Sequence, residues 1–286
     1  MDVKYYWDFS IILDIFWSKE NEENDGRRMK LIKVPFSSAN LGRNIGCEKA
    51  PDEIVKLLSK IYLGENFKNI SFDIDLVKID KSNIDVSLEN IYNKAKAVYT
   101  GIFIGGDHSI TYPCFKAFSE KGNAGLIIFD AHADAETATD SVTHEDFIRK
   151  LVQDRIVKPE NIILVGLRNF SSKELSFLIE NKIKFFEMKK LFNNLEDVCD
   201  GIMELARGFD NLYVSVDIDV VDPAFAPGTG CLEPGGLSSR ELIYFIQRLK
   251  LLKNLKIVDI VEVNPDKDVN EITLKLAAKI IWEFST

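Results

Sequence analysis

Apolar runs and segments of helical periodicity alternate along the chain from Met29 onward. The runs are short and bounded by polar or turn residues, a pattern typical of buried strands in a parallel sheet. They predict strands at Lys30–Pro35, Ile70–Val77, Val98–Ile104, Leu126–Asp130, Ile162–Gly166, Ile183–Phe186, Leu212–Asp217 and Ile257–Val263. Helical spacing predicts helices at Pro51–Leu63, Ser109–Glu120, Ser172–Glu180, Leu195–Ala206, Ser238–Lys250 and Asn270–Phe284. Because such alternation covers both faces of one sheet with helices, we expect an α/β fold, a three-layer α/β/α sandwich around a mostly parallel eight-stranded sheet.

The N-terminal residues 1–28 differ from the rest of the chain. Aromatic residues up to Trp17 are followed by a charge-dense stretch, Ser18 to Arg28, without core-forming side chains. We therefore expect an N-terminal extension at residues 1–28 and a single catalytic domain at residues 29–286. The extension is either a docking arm or sequence upstream of a native start at Met29.

Composition narrows the range of functions. The chain has 46% apolar residues, enough for a sizeable core, and 45 acidic against 36 basic residues give a net charge of -9. This balance excludes a nucleic-acid partner and favours a cationic ligand. The four cysteines show no CxxC spacing, which indicates reduced thiols in the cytoplasm. No apolar run reaches the ~20 residues of a membrane-spanning helix, so we expect no membrane association.

All three histidines of the chain lie between His108 and His144. A lone histidine is more often a satisfied core residue than a ligand, but three beside carboxylates weaken that interpretation. Candidate motifs close three predicted strands: Gly105-Gly106-Asp107-His108-Ser109, Asp130-Ala131-His132-Ala133-Asp134, and Asp217 with Asp219. Residues at i, i+2 and i+4 of an extended chain point to one side, so Asp130, His132 and Asp134 converge. Each motif could instead cap a strand end or a turn.

The carboxyl ends of parallel strands share one edge of the sheet, where open α/β sheets bind ligands. These motifs would bring two imidazoles and four carboxylates to that edge. Six ligands are too many for one ion, and four negative charges match two divalent cations. A carboxylate-rich set without thiolates favours Mn²⁺ over a structural zinc. Because paired divalent ions activate water for attack on an electrophile, the set indicates a hydrolase.

The same motifs resemble those of the manganese ureohydrolases, the arginase and agmatinase superfamily. The resemblance runs from about Met29 to the C-terminus. It includes Ser-Val-Asp-Ile-Asp-Val-Val-Asp-Pro at 215–223, Pro227-Gly228-Thr229-Gly230, Glu233-Pro234-Gly235-Gly236 and Glu262-Val263-Asn264-Pro265. It implies an arginase-like fold and two Mn²⁺ per chain, held by His108, Asp130, His132, Asp134, Asp217 and Asp219. Asp130 and Asp217 would bridge the ions, with His108 and Asp134 on one ion and His132 and Asp219 on the other.

The resemblance also implies the roles of the remaining site residues. Asp134 would act as the base toward the attacking water, and Glu262 would receive a guanidinium group through parallel hydrogen bonds. His144 would contact the substrate and protonate the departing amine. The segment from Pro223 to Gly236 would form the pocket wall. Urea and an amine would be the products, and the assembly would be a homotrimer or homohexamer.

Two residues depart from the pattern of the family. Glu145 follows His144 where relatives usually have glycine, which adds an acid beside the pocket. Cys231 stands in the wall loop where threonine is common, and simple packing also explains it. Deacetylases of the histone-deacetylase type share the fold but use one zinc and an adjacent His-His pair, which this sequence lacks. A non-catalytic relative should have lost metal ligands, and none is missing.

Within the superfamily we expect agmatine as the substrate, hydrolysed to putrescine and urea. The loop of residues 135–143 resembles the short loop of agmatinases, and Glu136 would repel the carboxylate that arginases bind with an asparagine there. Ser171 replaces the arginase aspartate for the α-amino group. Formimidoylglutamate, guanidinobutyrate and arginine stay open as alternatives. Arg168 would either bind a substrate carboxylate or form a structural ion pair.

Overall fold

The eight predicted strands form one parallel sheet in the computed structural model, which describes residues 28–62, 64–65 and 69–286. The strands are β1 Met29–Lys33, β2 Phe72–Leu76, β3 Gly101–Ile104, β4 Ala124–Phe129, β5 Ile162–Leu167, β6 Lys184–Glu187, β7 Asn211–Asp217 and β8 Leu255–Val261. Their order is β2-β1-β3-β8-β7-β4-β5-β6. Every pair of neighbouring strands runs parallel, so the predicted sheet is confirmed.

The helices are α1 Ala50–Leu58, α2 Ile84–Lys96, α3 Thr111–Ser119, α4 Phe147–Gln153, α5 Ser172–Glu180, α6 Met188–Asn193, α7 Leu195–Arg207, α8 Ser239–Leu249 and α9 Ile272–Ser285. The six predicted helices correspond to α1, α3, α5, α7, α8 and α9. Helix α1 ends at Leu58, before the predicted Leu63, which lies outside the described residues. Ser171 and Ser238 begin α5 and α8 with capping boxes, which satisfy backbone N–H groups of the first turn.

The sheet is buried on both faces, which explains the continuous apolar runs of its strands. On one face, Ile127 and Phe129 of β4 share a core with residues of α1 and α6–α9. On the other face, Leu126 and Ile128 share a core with residues of α2–α5. Each fully buried side chain of this size contributes ~1.5–3 kcal/mol, so apolar burial holds the three layers together.

Strand order places a crevice at the centre of the sheet. Strands β3 and β4 follow each other in the sequence, but β8 and β7 lie between them. From the adjacent strands β7 and β4 the chain continues in opposite directions, from β7 to β8 and from β4 to β5, and open α/β sheets bind ligands at such a point.

Two further expectations concern regions outside this core. Among the described residues, no helix combines the length and apolar character needed to cross a membrane. Apart from Arg28, the predicted N-terminal extension lies outside the described residues, so the division of the chain at residue 29 stays a prediction.

Candidate metal centre and active site

The turn after β3 places His108 at the centre of the crevice. Gly106 is required in this turn, because a Cβ atom there would lie 1.8 Å from the carbonyl oxygen of Phe36. Asp107 caps the turn by accepting a hydrogen bond from the backbone N–H of Ser109. Capping therefore leaves the imidazole free, and His108 is buried with 1% exposure.

Three carboxylates surround one nitrogen of His108. Its Nδ1 atom lies 3.0 Å from Oδ2 of Asp130 and 3.0 Å from Oδ2 of Asp134. Oδ2 of Asp217 lies 3.1 Å from the same nitrogen. One ring nitrogen donates at most one hydrogen, so the imidazole cannot satisfy all three oxygens. The four side chains converge as ligands do around a cation.

The other nitrogen of His108 determines which tautomer is present. Nε2 lies 2.9 Å from Oγ of Ser215, and that hydroxyl donates to Oδ1 of Asp259 at 2.5 Å. Because Ser215 uses its hydrogen on Asp259, Nε2 of His108 donates to Ser215 and Nδ1 keeps its lone pair for a metal. Asp259 is fully buried and also accepts from Tyr213 at 2.6 Å and Thr111 at 2.8 Å.

A second cluster lies around His132. Its Nδ1 atom lies 3.0 Å from Oδ2 of Asp219 and 3.4 Å from Oδ1 of Asp130. Its Nε2 atom lies 3.4 Å from Oε1 of Glu233, which accepts from Nδ2 of Asn169 at 2.6 Å. The side chain of His132 is 23% exposed, against 1% for His108. The second cluster is therefore nearer to solvent.

The carboxylates of the two clusters lie close together, so a positive charge among them would be favourable. Burial, followed by the charge of Asp130, raises the pKa of Asp134 to about 8. Burial, with the charges of Asp219 and Asp130, raises the pKa of Asp217 well above its usual range. Within the described part of the chain, Oδ2 of Asp130 and Nδ1 of His108 are buried without hydrogen-bond partners. Oxygen and imidazole donors without a thiolate fit Mn²⁺, so the residues present suit the predicted cofactor.

Glu262 lies beside the first cluster in a strained backbone conformation. Its φ angle is +63°, in the left-handed region that residues other than glycine rarely adopt. The backbone N–H of His108 donates to Oε1 at 2.8 Å, and Nδ2 of Asn44 donates to Oε2 at 2.6 Å. Burial alone would raise the pKa of Glu262, but contacts with His144, Asn44 and His108 outweigh burial and lower it. The carboxylate therefore stays ionised at neutral pH.

His144 faces Glu262 and the interior of the site. Its Nδ1 atom lies 3.2 Å from Oε1 of Glu262, and its backbone N–H donates to the carbonyl of Ala39 at 3.1 Å. Burial would lower the pKa of His144, but the Glu262 carboxylate outweighs burial and raises the pKa to about 9. Among the described atoms, Nε2 of His144 is buried without a hydrogen-bond partner.

The structure brings together all eight predicted site residues and corrects one expectation. Arg168 does not form the expected ion pair or carboxylate site, because its guanidinium donates to main-chain carbonyl oxygens. These belong to Gly166, Asp219, Val220 and Glu233. Cys231 is half-buried in the wall loop, and burial raises its pKa to about 11, as simple packing would.

No sequence pattern marked Asn44, Ser215, Asp259 or Asn169 for these roles. Asp259 carried one usable signal, an acid inside the apolar run Ile257–Val263, because a buried carboxylate needs partners. Asn44 lies 218 residues from Glu262 in the sequence, and nothing near it indicated the contact.

An all-parallel sheet with imidazoles and carboxylates gathered at its carboxyl edge defines an α/β protein with residues that could hold a metal ion. The sequence model of the Arginase family matches residues 27–286. The chain belongs to the arginase family, as its motifs predicted, and is a ureohydrolase of that family.

Similar proteins are named for different substrates. The formimidoylglutamase of Halalkalibacterium halodurans is 30% identical over an alignment 293 residues long, gaps included. The alignment covers 95% of this chain and 90% of that protein. The guanidinopropionase of Pseudomonas aeruginosa is 30% identical and covers 88% of this chain and 84% of that protein. The crystal structure of formimidoylglutamase from Bacillus subtilis gives a TM-score of 0.85 at 27% identity, covering 91% of this chain and 87% of that one. These names do not single out agmatine.

Proposed function

We propose that the protein hydrolyses agmatine to putrescine and urea with two Mn²⁺ as cofactors. The observation that carries this proposal is Glu262, an ionised and buried carboxylate beside the first ligand cluster. A guanidinium is planar, and its parallel N–H groups match the two oxygens of a carboxylate. Glu262 is therefore suited to bind a small cationic guanidino group.

The predicted ligands would hold the two ions as follows: His108, Asp130, Asp134 and Asp217 around one, and Asp130, His132, Asp217 and Asp219 around the other. When bound, divalent ions supply Lewis acidity, which lowers the pKa of water and offsets negative charge at the reacting carbon. The partners of His108 and His132 outside the ligand sets would hold the two imidazoles in the required orientation.

The remaining residues bind the substrate and move protons. Glu262 fixes the guanidinium carbon within the crevice, and Asp134 takes a proton from the water that adds to that carbon. The bond from this carbon to the alkyl nitrogen then breaks, and its electron pair goes to the nitrogen. His144 donates a proton from Nε2 to that nitrogen, so the alkyl part leaves as an amine. The hydroxyl group left on the carbon gives up its proton to solvent, and the carbon leaves as urea.

We define the mouth of the site by the two loops that contact Glu262, residues 39–46 through Asn44 and residues 136–146 through His144. The charged residues around this mouth support a cationic tail on the substrate. Arg168 is occupied by main-chain carbonyls, and Arg43 forms an ion pair with Glu145. The backbone N–H of Glu136 donates to the carbonyl of Glu145, which places two acidic residues on adjacent segments of the mouth. A tail that ends in an ammonium group suits these acids better than a carboxylate does.

Formimidoylglutamate is the second candidate, because relatives that cover most of this chain are named formimidoylglutamase. Its two carboxylates would need bases near the mouth. Arg43 and Lys267 are candidates, although the Lys267 ammonium donates to the carbonyls of Arg43 and Gly230.

A substrate panel tests the proposed function. Protein loaded with Mn²⁺ is assayed for product formation from agmatine, arginine, guanidinobutyrate and formimidoylglutamate. We expect the highest kcat/KM for agmatine, and a higher value for any other compound would contradict the choice of substrate. Glu262→Gln is the control and should abolish turnover of every guanidino compound without loss of the fold. Assembly into a homotrimer or homohexamer stays a prediction.

A further inference from the structure

Two loops meet beside Glu262, and each supplies a side chain that contacts its carboxylate. Residues 39–46 supply Asn44, whose amide donates to Oε2 of Glu262 at 2.6 Å. Residues 136–146 supply His144, whose Nδ1 atom lies 3.2 Å from Oε1. The backbone N–H of His144 donates to the carbonyl of Ala39 at 3.1 Å, so the loops touch each other directly. A group held by Glu262 therefore lies next to both loops.

An ion pair joins the same two loops. Arg43 and Glu145 pair through Nη1 and Oε1, and each is the chain neighbour of a residue that contacts Glu262. Their side chains are 57% and 26% exposed, so the pair is accessible to solvent. Ion pairs this exposed are weak, and an incoming charge can replace either partner.

Three charged side chains near the two loops and the ligand clusters already have partners. The ammonium of Lys267 donates to main-chain carbonyls, including that of Arg43 at 2.8 Å. The guanidinium of Arg168 is taken up by main-chain carbonyls, and Glu233 accepts from Asn169. Arg43 and Glu145 pair only weakly with each other at an exposed position, so both can exchange partners, and Glu136 lies on the adjacent segment.

We propose that Glu145 is the specificity residue that binds the cationic tail of the substrate. The terminal ammonium of a guanidinoalkylamine replaces Arg43 as the partner of Glu145, and Arg43 turns to solvent. A tail ending in a carboxylate would instead pair with Arg43 and leave Glu145 facing an anion. This inference rests on the proposed function and extends it to the tail of the substrate.

Two variants with opposite expected effects test the inference. In Glu145→Gln, kcat/KM for agmatine should fall about 5- to 10-fold, mainly through KM, because about 1 kcal/mol corresponds to such a factor. The same variant should leave guanidinobutyrate unchanged or improve it. In Arg43→Gln, agmatine should be used at least as well as by the wild type, because a competitor for Glu145 is gone. Glu204→Gln, which removes an exposed ion pair with Arg207, is the control.

The outcomes separate the two proposals. If Glu145 only supports His144, Glu145→Gln should lower kcat for agmatine and guanidinobutyrate by the same factor, and that result would overturn the inference. An unchanged ratio of kcat/KM for the two substrates in both variants would overturn it as well. A wild-type protein that cleaves no guanidino compound would instead refute the proposed function, and the inference with it.

Discussion

Two acidic residues of the site lie in backbone conformations that their side chains do not favour. The φ angle of Glu262 is +63° and that of Asp134 is +45°. Non-glycine residues in this region persist only where surrounding contacts hold them, and they cluster at functional sites. The family motifs identified both residues from the sequence. They did not predict the backbone strain, because the contacts that maintain it come from distant residues such as Asn44.

Asn44 is expected to be a positioning residue for Glu262. Asn44→Ala removes hydrogen bonds to Oε2 and to the carbonyl of Glu262. Bonds to charged groups are worth ~1.5–3 kcal/mol, so kcat/KM for agmatine should fall about 10- to 100-fold. Steady-state kinetics measures the effect. Asn90→Ala, which removes one exposed bond to the carbonyl of Lys78, is the control, and an equal loss there would contradict the role.

The shared ligands should matter more than the unshared ones. Asp130→Ala and Asp217→Ala remove carboxylates that would serve both ions, whereas His108→Ala leaves the other cluster complete. At matched metal loading we expect larger losses of kcat from the two aspartate variants. Equal losses in all three variants would count against the bridging roles.

At the level of elements, the strands were predictable and several helices were not. Parallel strands buried on both faces need continuous apolar runs, which mark them clearly in a sequence. Helix α2 buries only Ser87, Ile91 and Ala95, and α4 spans seven residues, so both patterns are weak. The ligand motifs were also predictable, because each follows its own strand directly. The contacts that hold those ligands in place join distant strands and loops. Such contacts produce no local pattern in the sequence.

The pairing of β7 with β8 provides such a support. Ser215 lies directly opposite Asp259 in the sheet and connects it to His108. Ser215→Ala leaves Nε2 of His108 without its acceptor, and loss of such partners typically weakens metal binding about 10- to 100-fold. Titration of the chelated protein with Mn²⁺ should show this loss. Ser119→Ala, at an exposed helix end, is the control, and unchanged affinity in Ser215→Ala would contradict the role.

On the scale of the whole molecule, the buried acids make the stability of the metal-free protein depend on pH. In the folded protein, burial and Asp130 raise the pKa of Asp134 to about 8, and Glu262 raises that of His144 to about 9. Ordinary values for the unfolded chain are about 3.9 and 6.5. Raised folded pKa values stabilise the protein at low pH, and this contribution is lost as pH rises through the folded values.

We therefore expect the melting temperature of chelated protein to fall between pH 6 and about 9. Saturation with Mn²⁺ should remove most of the decline, because the ions replace the protons as the source of positive charge. Asp134→Asn, which cannot ionise, should show a shallower decline without metal. Calorimetry across this range measures both effects. A melting temperature that rises with pH in the chelated protein would contradict the description of the site.

The most direct test of a two-ion centre is the metal content of fully active protein. Chelated protein is reconstituted with Mn²⁺, freed of excess ions by gel filtration, and analysed by elemental mass spectrometry beside a kcat measurement on the same sample. Four buried carboxylates and two imidazoles predict two manganese ions per chain at full activity. One ion per chain at full activity, or full activity with a single zinc, would contradict the account.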